Sequence, residues 1–381
     1  MFVLPLFNKS APLLISILFL TSFFNDKFDL RRNLFDRRKW ILLLLVAPYL
    51  FTLFGLFNTE LMDVGLKKLE IKLSILLLPI ILLTTTIVKY TQIRELLRTY
   101  VFGVSISAII CLVHGAYKYY FTGDVSYMFY IEYSLFHHPS YFAMYLNMGI
   151  SILLIFIFNQ ENKIKFQHFA LLTFLMVSVY QSASKAGLIV LLVICLFAFL
   201  FELAPRIKWL KSLIALSISV VLVILIMLSS NFVNQRFAEM SSVGDAESIS
   251  STASRLDIWK SAALIIQDHY LFGVGSGDVQ ESLDKKYEEN NLEHALETHS
   301  NAHNQYIETF LANGFFGLLS LLAALLVMFF YGVKYRIYLL SLYVFNIGFN
   351  FLTESMLEKQ SGVLFFALFG TLMISIIKER K

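Results

Sequence analysis

Eleven apolar runs, most of them 15–20 residues long, dominate this sequence; they lie near residues 10–24, 40–57, 73–88, 99–117, 141–158, 168–182, 186–201, 210–229, 305–331, 337–352 and 361–377. A helix crosses the hydrocarbon core of a bilayer with about 17–25 mainly apolar residues. The 381-residue chain is 57% hydrophobic and only 15% charged, against about 45–50% and about 25% in soluble domains. That is too little charge to coat a soluble surface. A soluble enzyme, a DNA-binding protein, a disordered chain and a disulfide scaffold are all excluded. Backbone groups inside a bilayer must be paired within the segment, and no alternating barrel pattern appears, so the spans are helices. The fold expected is all-α: a polytopic helical membrane protein of about 11 (10–12) transmembrane helices. The stretch 10–24 lacks a basic leader and an Ala-x-Ala site, and is read as a short first span rather than a signal peptide. Cys111 and Cys195 sit inside apolar runs and are expected to be buried, without a disulfide.

Charge sets the orientation. Nineteen of the 31 Lys and Arg residues fall in one alternate set of loops, led by Arg31, Arg32, Arg37, Arg38 and Lys39. By the positive-inside rule that set is cytoplasmic. The N-terminus is then outside and the C-terminus inside. Three regions follow: a transmembrane bundle of about eight helices over 1–229, a large extracytoplasmic loop over 230–304, and about three further helices over 305–381. The loop holds twelve acidic and five basic residues. Loops this long in compact proteins are usually functional. Within it, Leu256, Trp259, Ala263 and Ile266 recur at helical spacing over 254–268. A turn, Gly273-Val274-Gly275-Ser276-Gly277-Asp278, leads to a second polar helix over 279–289, and the chain re-enters the membrane near His303. No Walker loop and no G-x-S-x-G elbow is present.

Four outer-side clusters carry polar chemistry. The first is Thr298-His299-Ser300-Asn301-Ala302-His303-Asn304-Gln305-Tyr306, running on to Glu308 and Asn313-Gly314. A His at a membrane boundary titrates near neutrality and can take a proton from a hydroxyl; it can equally serve as a mere hydrogen-bond partner for a headgroup. His299 and His303 also stand four apart, a pair without a third metal ligand, so no metal is expected. The second is Ser254-Arg255-Leu256-Asp257-Ile258-Trp259. Arg255 is either a bidentate grip on phosphate or the partner of Asp257. The third is the short turn Ser182-Ala183-Ser184-Lys185-Ala186-Gly187. Its cation Lys185 is a site candidate by virtue of its depth, or snorkels to the headgroups. The fourth is Phe136-His137-His138-Pro139-Ser140-Tyr141, where Tyr141 and its neighbours stack on sugar or form an aromatic belt. His138 before Pro139 marks a turn into a helix. Glu354 and Glu358, four apart, are either an acidic pair that orients a base or solvated charges.

In their order, these motifs resemble the O-antigen ligase and O-antigen polymerase superfamily of bacterial membrane glycosyltransferases. The resemblance rests on Ser254-Arg255-x-x-x-Trp259, Leu271-Phe272-Gly273-Val274-Gly275-Ser276-Gly277, Ala302-His303-Asn304-Gln305-Tyr306 and Asn313-Gly314. Upstream His138-Pro139-x-Tyr141 and Ser184-Lys185-x-Gly187 fit as well, as does Thr353-Glu354-Ser355, over roughly residues 70–375. It implies a GT-C-like bundle in the bacterial cytoplasmic membrane, with its site facing the periplasm. It implies transfer or polymerisation of a glycan from an undecaprenyl-diphosphate donor onto a glycan or lipid A-core acceptor, with no cofactor and no nucleic acid, among membrane lipids. On the family pattern His303 and Arg255 are the catalytic residues, His303 as the base and Arg255 on the diphosphate. Lys185, His138, Tyr141, Asn304 and Glu354 are substrate contacts. Where the family commonly has Arg, this chain has Lys185. Two rival readings stand beside this one: a lipid-linked oligosaccharide flippase or transporter, which is no enzyme, and a protein O-oligosaccharyltransferase, which shares the donor and differs in acceptor. Few charges lie within the apolar runs, which favours a surface reaction over a through-path.

Overall fold

The computed structural model describes residues 1–6, 39–84, 90–159, 166–200 and 252–376, with isolated positions between 13 and 21. Most of the expected first span, the eighth span, the basic run before Lys39 and the acidic stretch 230–251 lie outside the described residues. The longer helices are α1 (Lys39–Phe54), α2 (Met62–Thr84), α3 (Tyr90–Thr122), α4 (Pro139–Asn159), α5 (Phe166–Gln181), α6 (Lys185–Ala198), α7 (Thr252–Asp268), α8 (Val279–Glu289), α9 (Gln305–Lys334), α10 (Tyr338–Asn350) and α11 (Gln360–Ile376). No strand occurs among the described residues. Among the described residues, four segments are long and apolar enough to cross a membrane: Trp40–Asn58, Thr91–Thr122, Pro139–Phe158 and Gln305–Lys334. Lys185–Ala198 and Gln360–Ser375 are apolar but shorter. The expected total of about eleven spans rests on the sequence alone.

The chain divides into two compact units, and the boundary falls inside α3. One unit comprises residues 1–7 and 95–241. In it α4 packs on both α5 and α6. Pro139 opens α4, where its missing N–H has no intrahelical partner to lose, and the His138 carbonyl accepts from Phe142 N at 3.0 Å. The short turn between α5 and α6 passes through Ala183 at φ +47°. Ser184 then caps α6, its side chain accepting from Gly187 N.

The other unit comprises residues 8–94 and 242–381. Here α11 lies along α2, α9 along α1, and α10 on α9. α7 and α8 bury Ile258, Ala262, Ile265, Val279, Leu283 and Tyr287 in one cluster with Ala302 and Leu311. The apolar stripe of α7 therefore lies one position away from the one its spacing suggests. Trp259 and Ile266 only flank the cluster, and Leu256 is 42% exposed. The buried stripe is the one that packs on α8, while Trp259 stands at the cluster's edge with its ring N–H on the Ala302 carbonyl.

The glycine turn after α7 is structural. α9 breaks at Gly314 (φ +64°, ψ −163°), and such a break frees backbone groups inside an apolar element. The turn repairs it. Val274 N donates to Leu311 O at 2.8 Å, Gly275 N to Ala312 O at 3.2 Å, and Phe315 N to Tyr270 O at 2.8 Å. A Cβ at Gly314 would strike the Leu271 carbonyl and one at Gly273 the Leu311 carbonyl, so glycine is needed at both for close approach and positive φ. On its other side the turn meets the start of α2. Asp278 accepts from Glu60 N at 2.7 Å and Leu61 N at 2.8 Å, which caps α2 from a distance in sequence. The twenty residues from Phe315 to Lys334 then rise about 30 Å, one hydrocarbon thickness.

Candidate active site

Arg255 stands in the first turn of α7, with its side chain 32% exposed. Its Nη1 donates to Thr353 O at 2.9 Å, and its Nη2 reaches Glu354 Oε1 at 3.4 Å. Asp257, the other partner the sequence offers, pairs instead with Lys260 at 2.8 Å. A guanidinium carries five N–H donors. Two are engaged here, and the others have no acceptor among the described residues.

His303 sits on the bend that precedes α9. Its φ is +44°, a left-handed conformation that costs about 1–3 kcal/mol and persists only where the surroundings over-determine it. They do so here. Ala302 O accepts from Trp259 Nε1 at 2.8 Å, and Ala302 N donates to Glu308 Oε2 at 3.3 Å. His303 N donates to Asn301 Oδ1 at 2.9 Å, and Ser355 Oγ donates to the same oxygen at 3.3 Å. Asn304 is the N-cap of α9: its Oδ1 accepts from Tyr306 N and Ile307 N, and its Nδ2 donates to Leu352 O. Gln305 N donates to Phe351 O at 2.7 Å, and Leu357 N donates to Gln305 Oε1. The bend is thus sewn to the segment 351–357.

That segment presents Glu354. Its Oε2 lies 3.3 Å from His303 Nδ1 while its Oε1 faces Arg255. An ionised carboxylate only accepts, so His303 carries its proton on Nδ1 and leaves Nε2 as the basic nitrogen. The imidazole is 33% exposed and the carboxylate 13%. One acidic group therefore holds a cation with spare donors and a base with a spare lone pair side by side.

The structure separates the presumed acidic pair. Glu354 lies in an irregular stretch and Glu358 in the 3₁₀ turn Met356–Glu358, so the two share no helix face. Glu358 instead joins a buried cluster: Lys68 Nζ contacts its Oε2 at 2.5 Å, Lys72 Nζ its Oε1 at 2.8 Å, and Lys68 also lies 3.6 Å from Glu308 Oε1. Burial alone would raise the Glu358 carboxyl, but the two ammonium groups hold it at about 2. Sequence reading passed over Lys68 and Lys72. They precede an apolar run as ordinary flanking charges, and only their place in the structure marks them: Lys72 is 6% exposed and the Lys68 side chain 23%. His299 and His303 also part company. His299 Nδ1 lies 2.7 Å from Asp284 Oδ2 at the exposed end of the loop, on a left-handed residue of its own. The four-residue spacing does not lie on a helix. Among the described residues no group of three or more His, Cys, Asp or Glu is placed to hold a metal.

Arg255, His303, Asn304 and Glu354 are brought together in this one unit. Lys185, His138 and Tyr141 belong to the other. There Lys185 is half-buried at the start of α6, His138 is exposed ahead of α4, and Tyr141 is 3% exposed. Its neighbour His137 is buried against Tyr145, and burial lowers its pKa to about 4.

Residues 168–322 match the family model described as O-antigen ligase. Over this segment, less than half of its length, the chain is similar to the O-antigen ligase family. The match spans less of the chain than the motifs do: it takes in Lys185, Arg255, His303 and Asn304, and ends before Glu354. No curated protein matches the chain. That family in general implies a glycosyltransferase-like enzyme, a lipid-linked glycan donor, a polysaccharide acceptor and a bacterial membrane. The apolar helices of the fold agree with the last.

Proposed function

We propose that this O-antigen ligase-like protein transfers or polymerises a glycan from an undecaprenyl-diphosphate donor onto an acceptor hydroxyl, at the outer face of the cytoplasmic membrane. The observation that carries this reading is the Glu354 bridge, whose two carboxylate oxygens meet Arg255 Nη2 and His303 Nδ1. The acceptor hydroxyl gives its proton to His303 Nε2 as its oxygen bonds to the anomeric carbon. The bond from that carbon to the diphosphate oxygen breaks, and undecaprenyl diphosphate leaves with the electron pair. A diphosphate is a good leaving group, so the protein need only meet its growing charge and take one proton. Arg255 does the first through its remaining N–H groups, whose fork fits phosphate oxygens.

The test is transfer by purified protein, supplied with an undecaprenyl-diphosphate-linked glycan and an acceptor glycan. Loss of a preorganised charge contact lowers rate by about 10²–10³, and loss of a base by about 10²–10⁴. Arg255→Ala and His303→Ala are each expected to abolish detectable transfer at normal membrane abundance. Arg255→Lys should recover only part, since the charge returns without the fork. Arg255→Ala should also weaken donor binding, while His303→Ala leaves it nearly unchanged. Near wild-type transfer by both alanine variants would overturn the assignment.

A further inference from the structure

The bend that holds His303 and the segment that holds Glu354 are joined a second time, deeper in the unit. Glu308, one turn into α9, is 3% exposed. Its Oε2 accepts from the amide of Ala302, the residue before His303. Its Oε1 faces Lys68 of α2 at 3.6 Å. Lys68 also holds Glu358, four residues past Glu354. One ammonium group thus ties down the start of α9 and the 3₁₀ turn that follows Glu354. Burying such groups is costly, and removing one partner leaves an uncompensated charge. A fold that needed only packing here would be as stable with apolar side chains.

We propose that Lys68 is a positioning residue: acting through Glu308 and Glu358, it keeps the His303 bend and Glu354 in register for proton transfer. The inference rests on the reading of His303 as the base, but it concerns geometry that can be followed without activity. His303 occupies a left-handed conformation, so the bend relaxes unless its amides are held. Of the two peptide groups of Ala302, the carbonyl is held by Trp259 and the N–H by Glu308. Glu308 keeps its orientation toward the Ala302 amide only while Lys68 faces its other oxygen.

The experiment compares Lys68→Met, Lys68→Arg and Glu308→Gln in the full-length protein. A misplacement of about 1 Å can cost about 10²-fold in rate. Lys68→Met should lower kcat by about 10–10² with KM for the donor changed less than about threefold. Lys68→Arg, which restores the cation, should stay within about fivefold of wild type. Glu308→Gln presents one oxygen where the carboxylate presented two. It can serve Ala302 or Lys68 but not both, and should lie between. Hydrogen exchange of the Ala302 and His303 amides supplies the readout apart from activity, with protection expected to fall at least about tenfold in Lys68→Met. Unchanged kcat and unchanged exchange in Lys68→Met would overturn the proposal. Should Lys68→Met not accumulate, the same null result in Glu308→Gln overturns it. If wild-type protein transfers no glycan at all, the functional reading fails while the exchange result still decides the brace.

Discussion

Two groups of charges lie in the same unit and are built differently. Lys68, Lys72, Glu308 and Glu358 are two cations and two anions, each within 3.6 Å of an opposite charge, and Glu308 and Lys72 are nearly fully buried. Arg255, Glu354 and His303 are a third exposed at both ends, and Glu354 alone is shared. The closed group has its charges answered inside the protein. The open group leaves guanidinium N–H groups and an imidazole lone pair for something else. An enzyme needs both: spare valence where bonds change, and none where the spare valence is held in place. Both groups are anchored on the same two segments, the bend before α9 and the stretch after α10. The difference between them is thus in closure and not in location.

The largest expected effect lies in the closed group. Glu358→Ala leaves Lys68 and Lys72 short of a buried partner, and breaking such a pair typically costs about 3–5 kcal/mol. Thermal unfolding in detergent should register this as a large drop in midpoint, and substitution of an exposed pair such as Asp257–Lys260 should not. The same group sets an acid limit. The Glu358 carboxyl is held near 2, below its ordinary value of 4.5. Its contribution is therefore complete above about pH 4.5, and is lost as pH falls from there through about 2. Stability measured across that window should fall in the wild type and be flatter in Glu358→Gln. An equally steep fall in Glu358→Gln would assign the acid sensitivity elsewhere.

A smaller effect is expected in the open group when charge is removed without shape. Glu354→Gln can still meet one of its two neighbours. A hydrogen bond to a charged group is worth about 1.5–3 kcal/mol, so transfer should fall roughly 10–10²-fold, with little change in stability. The amide also offers His303 either a donor or an acceptor, so the tautomer is no longer set. A stability loss as large as that of Glu358→Ala would erase the contrast between the groups.

Much of this architecture was legible in the sequence, for a simple reason. Apolar runs of helical length report burial away from water, and α1, α4, α9, α10 and α11 lie where such runs lie. The helix over 279–289 matched in both ends because its polar face and flanking turn are local signals. The motifs at Arg255, His303 and Glu354 were visible singly, and their joint order pointed to one family. What was hidden is everything that depends on pairing across the chain. α2 begins at Met62, eleven residues before its apolar run, because Lys67, Lys68, Glu70 and Lys72 read as solvent-facing charge. The partner of Lys68 lies 290 positions downstream at Glu358, and no periodicity encodes that. Equally, the Gly273–Gly277 turn and Asn313–Gly314 look like separate motifs, yet they are two sides of one contact. Helical spacing even misled at 354 and 358, where the chain is irregular and four residues do not return to the same face.

The smallest effect is expected just outside the open group, and it tests whether proximity in sequence confers a role. His299 lies four residues before His303 and resembles it in type and in its left-handed backbone. It differs in what it meets. Its ring is 70% exposed and paired to Asp284, and neither partner touches Arg255 or Glu354 among the described residues. An exposed polar contact of this kind contributes at most about 1 kcal/mol. The left-handed backbone at 299 is satisfied locally, since its N–H donates to Leu296 O at 3.1 Å. His299→Ala should therefore leave glycan transfer within about fivefold of wild type, less than the loss expected for His303→Ala. Equal losses from the two alanine variants, at equal abundance, would mean that the reacting centre includes the exposed end of the loop and is not set by Glu354.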